Sequence, residues 1–418
     1  MERFCSADAF LKRHRPVDPV RCWRPAMVDR AASWFQSQFY ERLGGRVLYA
    51  VKANPSPFVL KRLFAAGITG FDVASLHEIE LLSGQLPEAD LYYMNPVKSR
   101  AHIRAAYFTY GVRRFAVDGL DEVHKILDVT QQAADLHLFV RLACNDTGSV
   151  LPLSAKYGAE GADAAALLRL ARSKAAQLGV TFHVGSQALV PARYEQALRL
   201  VGTLLARAEV AADAVNVGGG FPISYRDEGR VDLDGCGRAI EAGLEALPTA
   251  LGTGLLVEPG RALVAEAESL IVRVDGRRGE ALFINDGGYG VLFDAAFSDW
   301  VFPCRLIGRD DAADGQPSEL QAFSFWGPTC DAADRMKGPF YLPATVKEGD
   351  YIEIYKTGAY GWSMASSFNG FGCYEMIEVE DEVPLPTFSS PSSSLTSAAL
   401  SSPSPLSPLG GDQLIKAG

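Results

Sequence analysis

Between residues 24 and 265 the chain alternates short runs of apolar, often β-branched residues with longer amphipathic stretches. "VLYAVKA" leads into the helical "PFVLKRLFAAG", "GFDVAS" into "LHEIELLSG", "LYYMNP" into "SRAHIRAAYFTYG", and "RRFAVD" into "GLDEVHKILDVTQQ". "LHLFVRLAC", "VTFHVGS", "AVNVGGG" and "GLLVEPG" continue the series, joined by helical stretches such as "AEGADAAALLRLARSKAAQLG" and "ARYEQALRLVGTLLARAEVA". A strand–helix–strand rhythm implies parallel βα units. Roughly eight such units in about 240 residues fit a (β/α)8 TIM-type barrel, with a doubly wound open sheet as the alternative.

The rhythm changes after residue 265. "SLIVRVDG", "ALFINDG", "PCRLIG", "LQAFSFWGP" and "DYIEIYKTG" are closely spaced strands without long helices between them, which predicts an antiparallel β-sheet domain over 266–380. Residues 1–23 are assigned to the same sheet domain. The Ser/Pro-rich stretch 381–418 has little to bury and is expected to be a disordered tail.

Composition narrows the function. The net charge of −10 and the lack of any basic cluster with interleaved aromatics argue against nucleic acid and anionic membranes as partners. No apolar run approaches the roughly 18 residues of a spanning helix, and the N-terminus has no signal-peptide core. The seven cysteines are scattered without CxxC pairs, so neither a disulfide framework nor a metal site is expected, and a reducing cytoplasm is.

The chemistry begins at "RVLYAVKANPSP", where Lys52 closes the buried run 47–51. Lysine is rarely buried without a partner. Asp72, Arg141, His183, Gly218–Gly220 and Glu258 fall at the ends of other strands, and in a parallel barrel all such ends surround one mouth. Three glycines after a strand expose backbone N–H groups to a phosphate, although a tight turn explains them equally well. Pro222 speaks against the helix start of a dinucleotide site. In "VEPGR", Glu258 suits a ring nitrogen and Arg261 a phosphate, with a local salt bridge as the plainer account. His183 offers a flat ring and Ser186 a phosphate donor. Pyridoxal 5'-phosphate (PLP) has the phosphate, ring nitrogen, stackable face and amine-reactive carbonyl that this set calls for, and Lys52 would be its Schiff-base partner.

"YAVKAN", "FHVGSQ", "NVGGGFP", "EPGR", "WGPTCDAADRM", "GAY" and "FNGF" occur in the order found in the fold-type III PLP-dependent decarboxylases. From about residue 20 to residue 377 the chain resembles this ornithine/diaminopimelate decarboxylase family. It is most similar to the ornithine branch, through "WGPTCD" and "NDGGYGVLFD". The resemblance implies that Lys52 attaches PLP, His183 stacks on its ring and Glu258 pairs with its nitrogen. It gives the phosphate to Ser186, Gly218, Gly219, Gly220, Arg261 and Tyr360, and places Asp72, Arg141 and Lys156 in a charged network beside Lys52. Cys330 would protonate Cα after CO2 departs, entering the site from the other subunit of a homodimer.

Asp331, Asp294 and Phe368 match positions that contact the substrate in the ornithine branch, the two carboxylates receiving its distal ammonium. The implied reaction is decarboxylation of a basic L-amino acid, with L-ornithine to putrescine, a polyamine-forming step, preferred. Lysine differs by one methylene, worth only about 1–3 kcal/mol in a pocket. Lysine, diaminopimelate and a non-catalytic regulatory homologue stay open as alternatives. Trp362 stands where that branch has a small apolar residue, and it would shorten the pocket if it faced inward.

Overall fold

The computed structural model describes residues 1–388 apart from 148, 153–154, 226–230, 246, 248–253, 310–318 and 385–386. Strands β1 (Glu2–Phe4) and β2 (Val20–Trp23) come first, followed by β3 (Arg46–Ala50), β4 (Gly70–Val73), β5 (Asp90–Tyr93), β6 (Arg114–Val117) and β7 (His137–Arg141). Next are β8 (Ser149–Leu151), β9 (Gln177–Thr181), β10 (Ser186–Ala188), β11 (Ala214–Asn216) and β12 (Leu255–Val257). The C-terminal part carries β13 (Glu268–Arg278), β14 (Ala281–Ile284), β15 (Cys304–Ile307), β16 (Leu320–Trp326), β17 (Arg335–Pro343), β18 (Tyr351–Tyr355) and β19 (Glu375–Val379).

Strands β3, β4, β5, β6, β7, β9, β11 and β12 close into a parallel barrel, β12 pairing back onto β3 through Val257 and Val47. Their alternation sorts side chains into two cores, because successive residues of a strand face opposite sides. Leu48, Tyr92, Met94, Ala116, Phe139 and Leu256 fill the interior. Val47, Tyr49, Leu91, Tyr93, Leu138 and Val140 face the helices outside. Large interior residues need small partners: a methyl on Gly179 would lie 2.2 Å from the Phe139 ring. Outside, helix Ala192–Ala208 buries Tyr194, Ala197, Leu198, Val201 and Leu205, the stripe expected of a period of 3.6.

The helix predicted to run to Gly179 ends at Lys174, and Gln177–Gly179 instead open β9. Gly179 is held there by its pairing with Phe139.

The second sheet is antiparallel where β13 pairs with β2, β14 and β18, where β15 pairs with β18, and where β16 pairs with β17. It also contains the parallel pairs β1–β19, β2–β19 and β14–β16. Among the described residues no helix is long and apolar enough to cross a membrane.

The stretch assigned to a tail from residue 381 needs correction at its start. Asp381 accepts a hydrogen bond from Arg24 Nη2 at 2.8 Å, and Thr387 Oγ1 donates to Glu266 at 2.8 Å. Phe388 is buried beside Trp34 and Phe35. Two apolar residues, Val383 and Phe388, with one carboxylate facing a buried arginine, tie down a run whose composition otherwise reads as unstructured. Residues 389–418 of the expected tail lie outside the described residues.

Candidate active site

The period of two that fills the barrel also delivers polar side chains to its C-terminal end. Residues paired across neighbouring strands share a face. Leu48 is opposite Gly70, and Ala50 opposite Asp72, so Asp72 sits on the inward register of β4. Arg141 follows Phe139 by two, and Glu258 follows Leu256 by two. After Ala50 the chain makes a single turn, Val51–Ala53, which presents Lys52 at the same mouth. His183 lies two residues beyond Thr181 and Gly218 two beyond Asn216. Thr181 and Asn216 are partnered across β9 and β11.

Lys52 is paired with Asp72, Nζ to Oδ2 at 3.0 Å. Partial desolvation favours the neutral amine of this half-exposed side chain, yet Asp72, then Tyr360 and Glu258, hold Lys52 above the ordinary lysine range. Burial, reinforced by Asp72, pushes Glu258 up to about 7, against the pull of Lys52. Asn216 Nδ2 donates to Glu258 Oε1 at 2.5 Å and fixes the carboxylate. Burial, together with Arg141 and Lys52, pulls His183 down to about 3. Its ring is therefore neutral, with Nδ1 accepting from the Gly185 N–H at 3.0 Å.

These groups line a cavity of about 320 Å³. Lys52, Arg141, His183 and Glu258 are joined there by Ser186, Gly219 and Gly220, and by Arg261, Lys156 and Tyr360. Asp72 reaches the cavity through its bond to Lys52. Gly218 stands behind the wall, its N–H donating to Asn216 Oδ1 and its carbonyl accepting from the Glu258 N–H. The glycines have a steric reason. A methyl on Gly219 would lie 2.6 Å from the Glu258 carbonyl oxygen, and one on Gly220 would lie 2.4 Å from that of Gly185. Tyr194, on the buried stripe of its helix, donates to the Gly219 carbonyl at 2.9 Å.

Arg261 is 5% exposed, so its charge needs partners. Nη1 donates to Tyr225 Oη and to Asp294 Oδ2, each at 3.0 Å, while Nε is buried without a partner. The guanidinium lies 4.0 Å from the Trp300 ring centre and 4.6 Å from that of Tyr360. Asp294 thus sits against Arg261 and does not line the cavity. A second cavity of about 340 Å³, beside Ile223, Tyr225 and Trp300, contains none of the residues predicted from sequence.

Cys330, Asp331 and Phe368 are not brought to the Lys52 cavity. They form a group on the sheet domain in which Cys330 and Phe368 are exposed and Asp331 is half-buried. The Cys330 N–H donates to Asn369 Oδ1 at 3.1 Å. Asp331 accepts from the Ala333 N–H at 2.9 Å and from the Tyr289 hydroxyl, and these bonds hold its carboxyl below the usual range. Phe368 packs on Tyr289 at 4.8 Å. Trp362 does not line the cavity and packs against Arg21 and Tyr374. Asn216, Tyr225 and Trp300 were missed from sequence. Only Asn216 carried a signal, at the inward register just before the glycines.

Residues 26–265 match the family described as pyridoxal-dependent decarboxylase, pyridoxal binding domain. The lysine/ornithine decarboxylase of Selenomonas ruminantium is 33% identical, the match covering 85% of this chain and 89% of that protein. The ornithine decarboxylase of Schizosaccharomyces pombe is 32% identical over 80% and 78% of the two chains. Among solved structures, the lysine/ornithine decarboxylase of Vibrio vulnificus complexed with putrescine superimposes with a TM-score of 0.74 at 27% identity. That match covers 90% of this chain and 99% of the other.

Proposed function

The chain belongs to the pyridoxal-dependent decarboxylases, carboxy-lyases acting on basic amino acids, and on that premise we propose that it converts L-ornithine to putrescine and CO2 as a homodimer. The observation that carries the reading is the charge arrangement at the barrel mouth: Lys52 paired with Asp72 and standing near Glu258, with a neutral His183 between cationic neighbours.

The residues fit the cofactor. Arg261 Nε is a buried donor without an acceptor, and Gly219 and Gly220 line the same cavity, so a phosphate has both charge and close backbone approach available. Lys52 would hold the aldehyde carbon, Glu258 the ring nitrogen and His183 the ring face. When bound, PLP supplies the electron sink that accepts the electron pair freed as CO2 leaves.

The chain's own groups set the protonation. Glu258, raised to about 7, holds or shares a proton near neutral pH, which a carboxylate at its ordinary value cannot do. His183 stays uncharged and so presents a flat face without adding a positive charge. Asp72 balances the Lys52 ammonium, and Arg141 and Lys156 add positive charge for the substrate carboxylate.

Cys330 is the proposed proton donor to Cα, and Asp331 the acceptor of the distal ammonium. On one chain Cys330 is exposed and Asp331 half-buried, and the apolar residues Trp362, Met364, Phe368 and Phe371 are each 40–44% exposed. A patch of this kind supports a covering partner. A second copy that brings this face to the Lys52 cavity would give the thiol a water-poor site and complete the constellation.

The test is CO2 release from L-ornithine, L-lysine, L-arginine and meso-diaminopimelate with PLP present, beside a Cys330→Ala control. Ornithine turning over fastest, with lysine behind, is the expected result. A preference for diaminopimelate would overturn the role of Asp331. No release from any of the four by a chain that binds PLP would favour a regulatory homologue.

A further inference from the structure

We propose that Thr387 and Phe388 are positioning residues: they fasten residues 221–225, the run that walls both cavities, and so hold the active site in shape from the C-terminal segment. The inference rests on reading the Lys52 cavity as the PLP site.

Phe221 lines the Lys52 cavity, while Ile223, Ser224 and Tyr225 line the second one. The run lies in neither a helix nor a strand, so its backbone groups need other partners. Gln187 takes both groups of Ile223, its Oε1 accepting the N–H at 2.7 Å and its Nε2 donating to the carbonyl at 2.9 Å. Ser224 is held from elsewhere. Its N–H donates to Thr387 Oγ1 at 3.2 Å, and its carbonyl accepts from Lys356 Nζ.

Glu266 sets the direction of the Thr387 hydroxyl. Its Oε1 accepts from the Thr387 N–H at 2.7 Å and from Oγ1 at 2.8 Å. A hydroxyl has one proton to give, and giving it to Glu266 leaves its lone pairs for the Ser224 N–H. Glu266 also pairs with the buried Lys356 ammonium at 3.2 Å. Thr387 and Lys356 therefore grip the two sides of Ser224 through one shared carboxylate.

Phe388 supplies the apolar half of the clasp. Its ring centre lies 5.8 Å from Trp34 and 6.3 Å from Phe35, and Phe35 packs in turn on Phe221 at 5.2 Å. Phe221 stacks on Tyr194, whose hydroxyl holds the Gly219 carbonyl in the Lys52 cavity. The two neighbouring residues thus reach both ends of the run, one by a hydrogen bond and one by packing.

The test uses full-length protein carrying Thr387→Val, which keeps the shape and loses the hydroxyl. Hydrogen–deuterium exchange read by mass spectrometry follows the amides of 221–225, and equilibrium dialysis gives the affinity for PLP. Exchange in that run is expected to be about 5- to 20-fold faster than in wild type, with the helix Ala192–Ala208 unchanged. Affinity for PLP is expected to fall about three- to tenfold. Thr387→Ser retains the hydroxyl and should restore both to within about twofold of wild type. Wild-type exchange in Thr387→Val would overturn the proposal. So would an equal rise across the whole barrel, which a general loss of stability produces, or faster exchange of the run with PLP affinity unchanged. If Thr387→Val does not fold, Phe388→Leu loosens the apolar half and is judged by the same two measurements. A wild-type protein that does not bind PLP would refute the cofactor reading, and exchange alone would then decide whether Thr387 fastens the run.

Discussion

Lys52 Nζ stands 3.0 Å from Asp72 Oδ2, and this carboxylate is the largest influence keeping charged an amine whose side chain is about half exposed. Replacing Asp72 by Asn removes the anion and leaves the partial desolvation of the amine at the barrel mouth, which favours the neutral form, with less opposition. In the cofactor-free protein at about pH 9, reductive methylation of Lys52 is expected to run several-fold faster in Asp72→Asn than in wild type. Mass spectrometry of the Lys52 peptide reads the rate. Equal rates would mean that Asp72 does not control the amine.

Glu258 gives the cofactor-free protein a pH signature. Its folded value of about 7 lies above the ordinary 4.5, so the native state holds the proton more tightly than the unfolded chain. The stabilisation from that proton is complete below about pH 4.5 and is lost as pH rises through about 7. The loss is on the order of 2–3 kcal/mol. Urea midpoints at about pH 5 and about pH 8 should therefore fall further in wild type than in Glu258→Gln. Parallel falls would contradict the assignment.

Gly219 leaves no room for a side chain. A methyl there would approach the Glu258 carbonyl oxygen to 2.6 Å and His183 Nε2 to 3.2 Å. Gly219→Ala should lower stability by about 1–3 kcal/mol, as overpacking does, and weaken PLP retention as the cavity wall shifts. Thermal unfolding and cofactor dialysis measure the two effects, and a variant that keeps wild-type values of both would show that the loop yields freely.

Tyr289 holds Asp331 through its hydroxyl and packs on Phe368. Tyr289→Phe keeps the ring and loses that bond. The KM for L-ornithine is expected to rise about two- to tenfold with kcat little changed if Asp331 is the ammonium acceptor proposed above, since only its placement is disturbed. A fall in kcat at constant KM would point to the Cys330 side of the group.

The barrel and its mouth were legible because they rest on local periodicity. Helix stripes mark the connections, and the step of two that buries Leu48, Phe139 and Leu256 also carries Asp72, Arg141 and Glu258 to one end. Strand β17 was not read: Gly338 and Pro339 interrupt the alternation of Met336, Phe340 and Leu342, and such residues normally argue against a strand interior. Asp381–Phe388 was misassigned because composition cannot show that Arg24 and Glu266 await it across the fold. The pairing of Asp294 with Arg261, 33 positions apart, has no signature in either local sequence. The distance between Cys330 and the Lys52 cavity was legible only through family resemblance, since no pattern within one chain describes a second copy.

The central claim is that one active site takes Lys52 from one chain and Cys330 from another. Mixing Lys52→Ala and Cys330→Ala proteins, each nearly inactive alone, tests it through putrescine formation from L-ornithine. Random exchange makes half the dimers mixed, each with one intact site of two, so recovery to about a quarter of wild-type activity is predicted. No recovery, with mixed dimers shown to form by native mass spectrometry, would contradict the shared site.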